Sequence, residues 1–178
     1  MMQCYVIMGV SGCGKSSVGA AFAAAIGGKF IDGDDLHPAA NRAKMASGQP
    51  LDDDDRGPWL VRVGQALGAH TSPVIIACSA LKLRYRDRVR AHAGKPVAFI
   101  HLTGSRQVLA ARIAARKGHF MPPSLLDSQL AALEPLTPQE AGISVDIDQT
   151  PKEILAELLR RTGTDHRLTV AKSATRSF

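Results

Sequence analysis

The sequence predicts an α/β domain, with a parallel sheet flanked by helices. Two observations carry this. Short β-rich runs alternate with longer stretches of helical pattern along the chain, the signature of parallel strands joined by crossover helices. The chain has 178 residues, 45% of them hydrophobic, which is enough for one core and one domain. No internal repeat interrupts the alternation.

In chain order, the first strand spans Gln3 to Met8 and holds the apolar string Cys4-Tyr5-Val6-Ile7-Met8. A helix from Lys15 to Ile26 follows, alanine-heavy from Ala20 to Ala25, which suits both helix propensity and a close fit against a sheet. The second strand is Lys29 to Asp32, then come helices at Ala39 to Ser47 and Asp54 to His70. The acids of Asp52-Asp53-Asp54-Asp55 suit a helix N-terminus near Pro58. The third strand, Pro73 to Cys78, leads into a helix at Leu83 to His92, and the fourth, Val97 to Leu102, into one at Arg106 to Arg116. That helix runs into Gly118 and then Pro122-Pro123, a hinge and lid at about residues 117–124. A helix at Leu125 to Leu133, the fifth strand at Ile143 to Ile147 and a helix at Lys152 to Arg161 complete the series. The domain is expected to span residues 1–162, with a basic, flexible tail at 163–178.

The formal net charge is +6, and from Arg160 onward five basic residues face one acid, Asp165. Most of the excess is therefore a tail. Its one aromatic residue, Phe178, offers no stacking platform for a single strand, so a solvated end is expected and nucleic acid is not a partner. No apolar run approaches the roughly 18 residues of a membrane helix, and Met1-Met2-Gln3 does not begin a secretory signal. Cys4, Cys13 and Cys78 are odd in number and lack a CxxC pair, which suggests neither a disulfide framework nor a zinc site. A cytoplasmic location, with no membrane partner, is expected.

Gly9-Val10-Ser11-Gly12-Cys13-Gly14-Lys15-Ser16 fits the pattern G-x-x-x-x-G-K-[ST] between a strand and a helix, the context that a phosphate-binding loop requires. Glycines at 9, 12 and 14 let successive N–H groups turn inward on an anion, and the following helix adds its positive end. Residues 9–17, through Ser17, thus form the expected nucleotide site. Lys15 supplies a mobile charge for the terminal phosphates and Ser16 a magnesium ligand. Asp32 and Asp34 follow the second strand, where α/β sheets bind ligands. Their spacing places both carboxylates on one side of extended backbone. One would hold water on magnesium and the other would orient and deprotonate an attacking hydroxyl. The alternative is a helix cap ahead of Pro38.

The phosphate loop, then Asp32-Gly33-Asp34-Asp35-Leu36-His37-Pro38, Lys44-Met45-Ala46-Ser47-Gly48, Asp53-Asp54-Asp55-Arg56, Pro58-Trp59-Leu60, Cys78-Ser79-Ala80-Leu81-Lys82, Arg116-Lys117-Gly118-His119-Phe120 and Val145-Asp146-Ile147-Asp148 together resemble the gluconokinase family of small sugar-acid kinases. The resemblance runs in order from residue 3 to about 160. It implies a three-layer, shikimate-kinase-like P-loop kinase fold with a five-stranded parallel sheet and a mobile lid. It further implies magnesium-ATP as donor, D-gluconate as acceptor, 6-phosphogluconate as product and a homodimer. On the acceptor side Arg56 would clamp the carboxylate with paired donors, and His37, Ser79, Lys82 and Arg86 would reach hydroxyls or the carboxylate. For Lys82 and Arg86 a solvated helix face is the alternative, and Trp59 is expected to pack rather than stack on substrate. Closure of the lid would bring Arg116 and Arg112 to the phosphates, a cationic helix end being the alternative. Adenine is expected against backbone near Thr150-Pro151.

The mechanism implied is in-line phosphoryl transfer: Asp34 acts on the hydroxyl, Ser16 and, through water, Asp32 organise magnesium, and Lys15 with Arg116 neutralises charge. Two other readings stay open. One is a kinase of the same architecture acting on shikimate or a nucleoside monophosphate, and the other a non-catalytic nucleotide-binding module.

Overall fold

The structure, a computed structural model, describes residues 4–115 and 123–164. The five expected strands are β1 (Cys4–Met8), β2 (Lys29–Asp32), β3 (Val74–Ala77), β4 (Val97–Thr103) and β5 (Gly142–Asp146). They form one sheet in the order β2-β3-β1-β4-β5, and every neighbouring pair is parallel. The helices are α1 (Lys15–Ile26), α2 (Ala39–Ala46), α3 (Asp53–Gly68), α4 (Leu83–Ala93), α5 (Arg106–Ala114), α6 (Pro123–Ala132) and α7 (Pro151–Arg161).

The central strand shows why the fold has three layers. All of β1 is buried, and alternate side chains leave opposite faces of a strand. Tyr5 and Ile7 join Phe22 of α1, Leu109 of α5 and Leu158 of α7 in one core. Cys4, Val6 and Met8 join Trp59, Leu60 and Val63 of α3 and Val89 of α4 in the other. A strand covered on both faces must read as an unbroken apolar run, as Cys4 to Met8 does.

Two expectations change. The helix after the acidic run starts earlier than Pro58: Asp52 caps α3, accepting from the Asp55 N–H at 2.8 Å, while the Asp55 carboxylate accepts from the Asp52 N–H at 2.9 Å. This reciprocal capping box leaves Pro58 inside the helix. Residues Gly33–Leu36 form a 3₁₀ turn where extended backbone was expected. Thr164 is buried and its hydroxyl donates to the Leu159 carbonyl at 3.3 Å. Most of the expected lid, with Arg116, and the tail from residue 165 lie outside the described residues. Residues 123–124, the end of the expected lid, open α6.

The strand order places the C-terminal ends of β1, β3 and β2 side by side. Strand order reverses around β1, the position at which sheets of this kind bind ligands.

Candidate active site

The loop leaving β1 is anchored where the Gly9 N–H donates to the Ser79 carbonyl beyond β3, at 3.2 Å. Gly12 and Gly14 adopt φ values of 82° and 91°, a left-handed region that glycine enters without steric cost. Gly14 is the N-cap of α1 and brings no side-chain cap, and the first turn holds no acid. The open amides and dipole at this end suit an anion. Lys15 Nζ meanwhile donates to the Val10 carbonyl at 3.1 Å, folding the ammonium over the loop. Val10 and Cys13 are buried, and Ser17 is exposed. Burial raises the Cys13 thiol pKa against the opposing charge of Lys15, so the residue packs as a small apolar group. Arg112 donates to the Ile147 carbonyl, and its guanidinium sits beside the loop: a Cβ built on Gly14 would lie 3.8 Å from Nη1.

The acid pair is brought to this loop by a turn. Ser16 Oγ donates to Asp32 Oδ2 at 3.0 Å, and Asp32 Oδ1 accepts from the Asp34 N–H at 3.1 Å. Asp32 therefore caps the 3₁₀ turn and frees the Asp34 side chain. Gly33 between them is dictated by close approach, since a Cβ there would lie 2.2 Å from the Ala77 carbonyl oxygen. Trp59 Nε1 donates to the Gly33 carbonyl at 2.7 Å and pins the turn to α3, the packing role expected of it. The N-cap of α2 is Pro38, with no side-chain cap. Neither Asp34 nor Asp35 is used to start that helix, so the capping alternative does not describe them.

Asp34 is 87% exposed, and His37 Nε2 stands 4.0 Å from its carboxylate. The His37 ring stacks on Trp59 with centroids 4.2 Å apart and planes 14° from parallel. Its Nδ1 lies 3.2 Å from Asn41 Nδ2. An amide nitrogen only donates, so Nδ1 accepts, and the neutral ring carries its proton on Nε2, facing Asp34. Burial lowers the His37 pKa, opposed by Asp34 and reinforced by Arg56 and Arg42, which keeps the neutral form at pH 7.

One open cavity of about 660 Å³ joins these groups, lined by Lys15, Ser16, Asp32, Asp34, His37, Arg56 and Ser79. Arg56 Nη1 donates to the Leu51 carbonyl at 2.5 Å, and its guanidinium lies 5.9 Å from the Tyr85 ring centroid. Beside Ser79, Ala80 holds φ 43°, a left-handed conformation costly for alanine and of the kind that gathers around binding sites. Cys78, also lining the cavity, has its thiol pushed up to about 12 by burial and stays protonated.

Two expected acceptor residues are placed elsewhere. Arg86 is fully buried, and its guanidinium donates to both oxygens of Glu140, at 2.6 and 2.8 Å, and to the carbonyls of Ala80, Leu81, Glu134 and Pro135. Its donors are spent on holding the 134–140 segment to α4, which rules out the acceptor role, and it is no solvated helix face. Lys82 pairs with Asp53 at 3.4 Å and lies 5.4 Å from the Tyr85 ring centroid, outside the cavity lining. The sequence reading missed Gln129 and gave no role to Asn41, which is part of the family resemblance. Gln129 lines the cavity, with Oε1 accepting from the Ser11 N–H at 2.7 Å and Nε2 donating to Ser11 Oγ at 3.1 Å. Neither amide titrates nor belongs to the loop pattern, so no spacing rule singles them out.

Comparison with known proteins identifies the family. A family model described as an AAA domain matches residues 5–136. The thermoresistant gluconokinase of Escherichia coli (strain K12) is 46% identical over 160 residues, covering 87% of this chain and 90% of that protein. A probable gluconokinase of Xenopus tropicalis is 40% identical, covering 95% and 97%. The crystal structure of a gluconokinase from Sinorhizobium meliloti 1021 superposes with a TM-score of 0.79 at 47% identity, covering 91% and 96%. A shikimate kinase from Aquifex aeolicus, at 13% identity and a TM-score of 0.58, shares the fold. With two thirds of its length and more matched at such identities, the chain belongs to the gluconokinase family of P-loop kinases.

Proposed function

We infer that the protein transfers the γ-phosphoryl of ATP to the 6-hydroxyl of D-gluconate, giving 6-phospho-D-gluconate and ADP. The observation that carries this reading is one cavity holding the phosphate loop's Lys15 and Ser16 together with the free carboxylate of Asp34 and the guanidinium of Arg56. The loop binds the triphosphate, and Arg56 takes the sugar-acid carboxylate with paired donors. Asp34 orients the primary hydroxyl and accepts its proton as the oxygen attacks phosphorus in line. His37 Nε2–H and Ser79, which line the same cavity, hold neighbouring hydroxyls. Lys15, Arg112 and Arg116 offset charge on the phosphoryl oxygens as the transition state forms.

Ser16 Oγ and the Asp32 carboxylate converge within 3.0 Å. One hydroxyl and one carboxylate are hard oxygen donors of the kind magnesium takes alongside phosphates and water. These two residues would hold the ion, which when bound supplies charge neutralisation to the phosphates. The homodimer and cytoplasmic location implied by the family form part of this reading, and sedimentation velocity tests the dimer. No described helix is long and apolar enough to cross a membrane.

ADP release measured across gluconate, related sugar acids, shikimate and nucleoside monophosphates tests the proposal. Gluconate is expected to give the highest kcat/KM. Faster turnover with shikimate or a nucleotide would assign the alternative kinase, and ATP binding without turnover on any acceptor would assign the non-catalytic module.

A further inference from the structure

The amide of Ser11 is already occupied. Ahead of Lys15, Ser11 is the loop residue that lines the cavity together with Asp34 and Arg56, whereas Gly12, Cys13 and Gly14 do not, which puts it on the acceptor side of the loop. In this structure that N–H donates to Gln129 Oε1 at 2.7 Å, and Gln129 Nε2 donates to Ser11 Oγ at 3.1 Å. A carboxamide oxygen thus sits where a phosphoryl oxygen would be received, and both ends of the side chain are tied to one loop residue 118 positions away in sequence. A neutral amide oxygen accepts more weakly than an anionic phosphoryl oxygen, because charge-assisted hydrogen bonds are about twice as strong. The nucleotide wins the exchange.

We propose that Gln129 is a substrate-binding residue that couples the two substrates. The triphosphate takes the Ser11 N–H and releases the carboxamide, which then hydrogen-bonds to acceptor hydroxyls in the same cavity. ADP, which lacks the terminal phosphoryl, leaves Gln129 on Ser11. Asp34 is held by its own turn, through Asp32 and Gly33, and makes no contact of its own with the loop's Ser11. Gln129 spans both halves. By thermodynamic reciprocity, gluconate must then favour the triphosphate by the same factor.

The inference rests on the gluconate-kinase reading of the site, which wild-type turnover checks separately. Calorimetric titration of gluconate into the magnesium-loaded enzyme, alone, with ADP and with a non-hydrolysable ATP analogue, tests it. One neutral hydrogen bond gained corresponds to about fivefold. Wild-type enzyme is expected to bind gluconate about fivefold more tightly with the analogue than alone, and with unchanged affinity in ADP. Gln129→Ala is expected to remove that difference while leaving gluconate affinity in the absence of nucleotide unaltered. Gln129→Glu keeps an acceptor for the Ser11 N–H but sets a carboxylate against the terminal phosphoryl, so it should weaken the analogue by more than tenfold relative to ADP. Equal coupling in wild type and Gln129→Ala, absence of coupling in an active wild type, or equal effects of Gln129→Glu on analogue and ADP would overturn the proposal.

Discussion

Replacing Glu140 by glutamine keeps the shape of a side chain that is 5% exposed and removes its charge. The carboxylate receives Arg86 Nε and Nη2, Arg90 Nη2 at 2.6 Å and the Thr137 N–H at 3.0 Å. Burial by itself would raise the Glu140 pKa, but the hydrogen bonds from Arg86, Arg90 and Thr137 overcome it and lower the value from 4.5 to about 2. A depression of that size corresponds to about 3 kcal/mol of stability at neutral pH. Breaking a buried pair on one side costs about 3–5 kcal/mol by an independent route, so the two agree. For a domain of this size the melting temperature should fall by roughly 6–12 °C at pH 7. Because the folded pKa lies below the unfolded one, the contribution is fully present above pH 4.5 and is lost as pH falls toward 2. The melting curves of wild type and Glu140→Gln should therefore converge over that window. Gluconate KM should stay unchanged in the folded variant. A melting shift below about 2 °C, or a raised KM at unchanged stability, would refute the structural role given to Arg86.

Further outcomes follow from the same geometry. Arg56→Lys replaces a planar pair of donors by a point charge and should raise gluconate KM about tenfold, the worth of one charge-assisted hydrogen bond, with ATP KM unaltered in steady-state kinetics. Gly33→Ala sets a methyl 2.2 Å from the Ala77 carbonyl oxygen. Chemical denaturation should read a loss of about 1–3 kcal/mol, and kcat should fall because the turn carrying Asp34 must move. Arg116→Ala should lower kcat by about 10³ with gluconate affinity retained, as single-turnover and titration measurements would separate.

What could be read in the sequence followed from periodicity and from steric demands. The apolar run of Cys4 to Met8 identified the first strand, and the glycines with Lys15 and Ser16 identified the anion-binding bend. Asp32 and Asp34 were expected to share one side because of extended backbone. They share a cavity instead because Asp32 caps a 3₁₀ turn, a capping interaction that spacing does not reveal. Arg86 and Lys82 illustrate the limit. A basic residue one turn along a helix reads the same whether it faces substrate or a buried carboxylate, and Glu140, 54 residues away, decided the matter for Arg86. The pairing of Lys82 with Asp53, 29 residues away, is equally invisible to spacing. Gln129 was silent because an amide outside a motif carries no charge pattern.

The most direct test is the gluconate-dependent release of ADP by Asp34→Asn, with ATP binding measured on the same preparation. Loss of the base should lower kcat by about 10² to 10⁴, while ATP affinity stays near the wild-type value because the phosphate loop is untouched. Turnover with gluconate at the wild-type rate would contradict the assignment of Asp34 to the attacking hydroxyl.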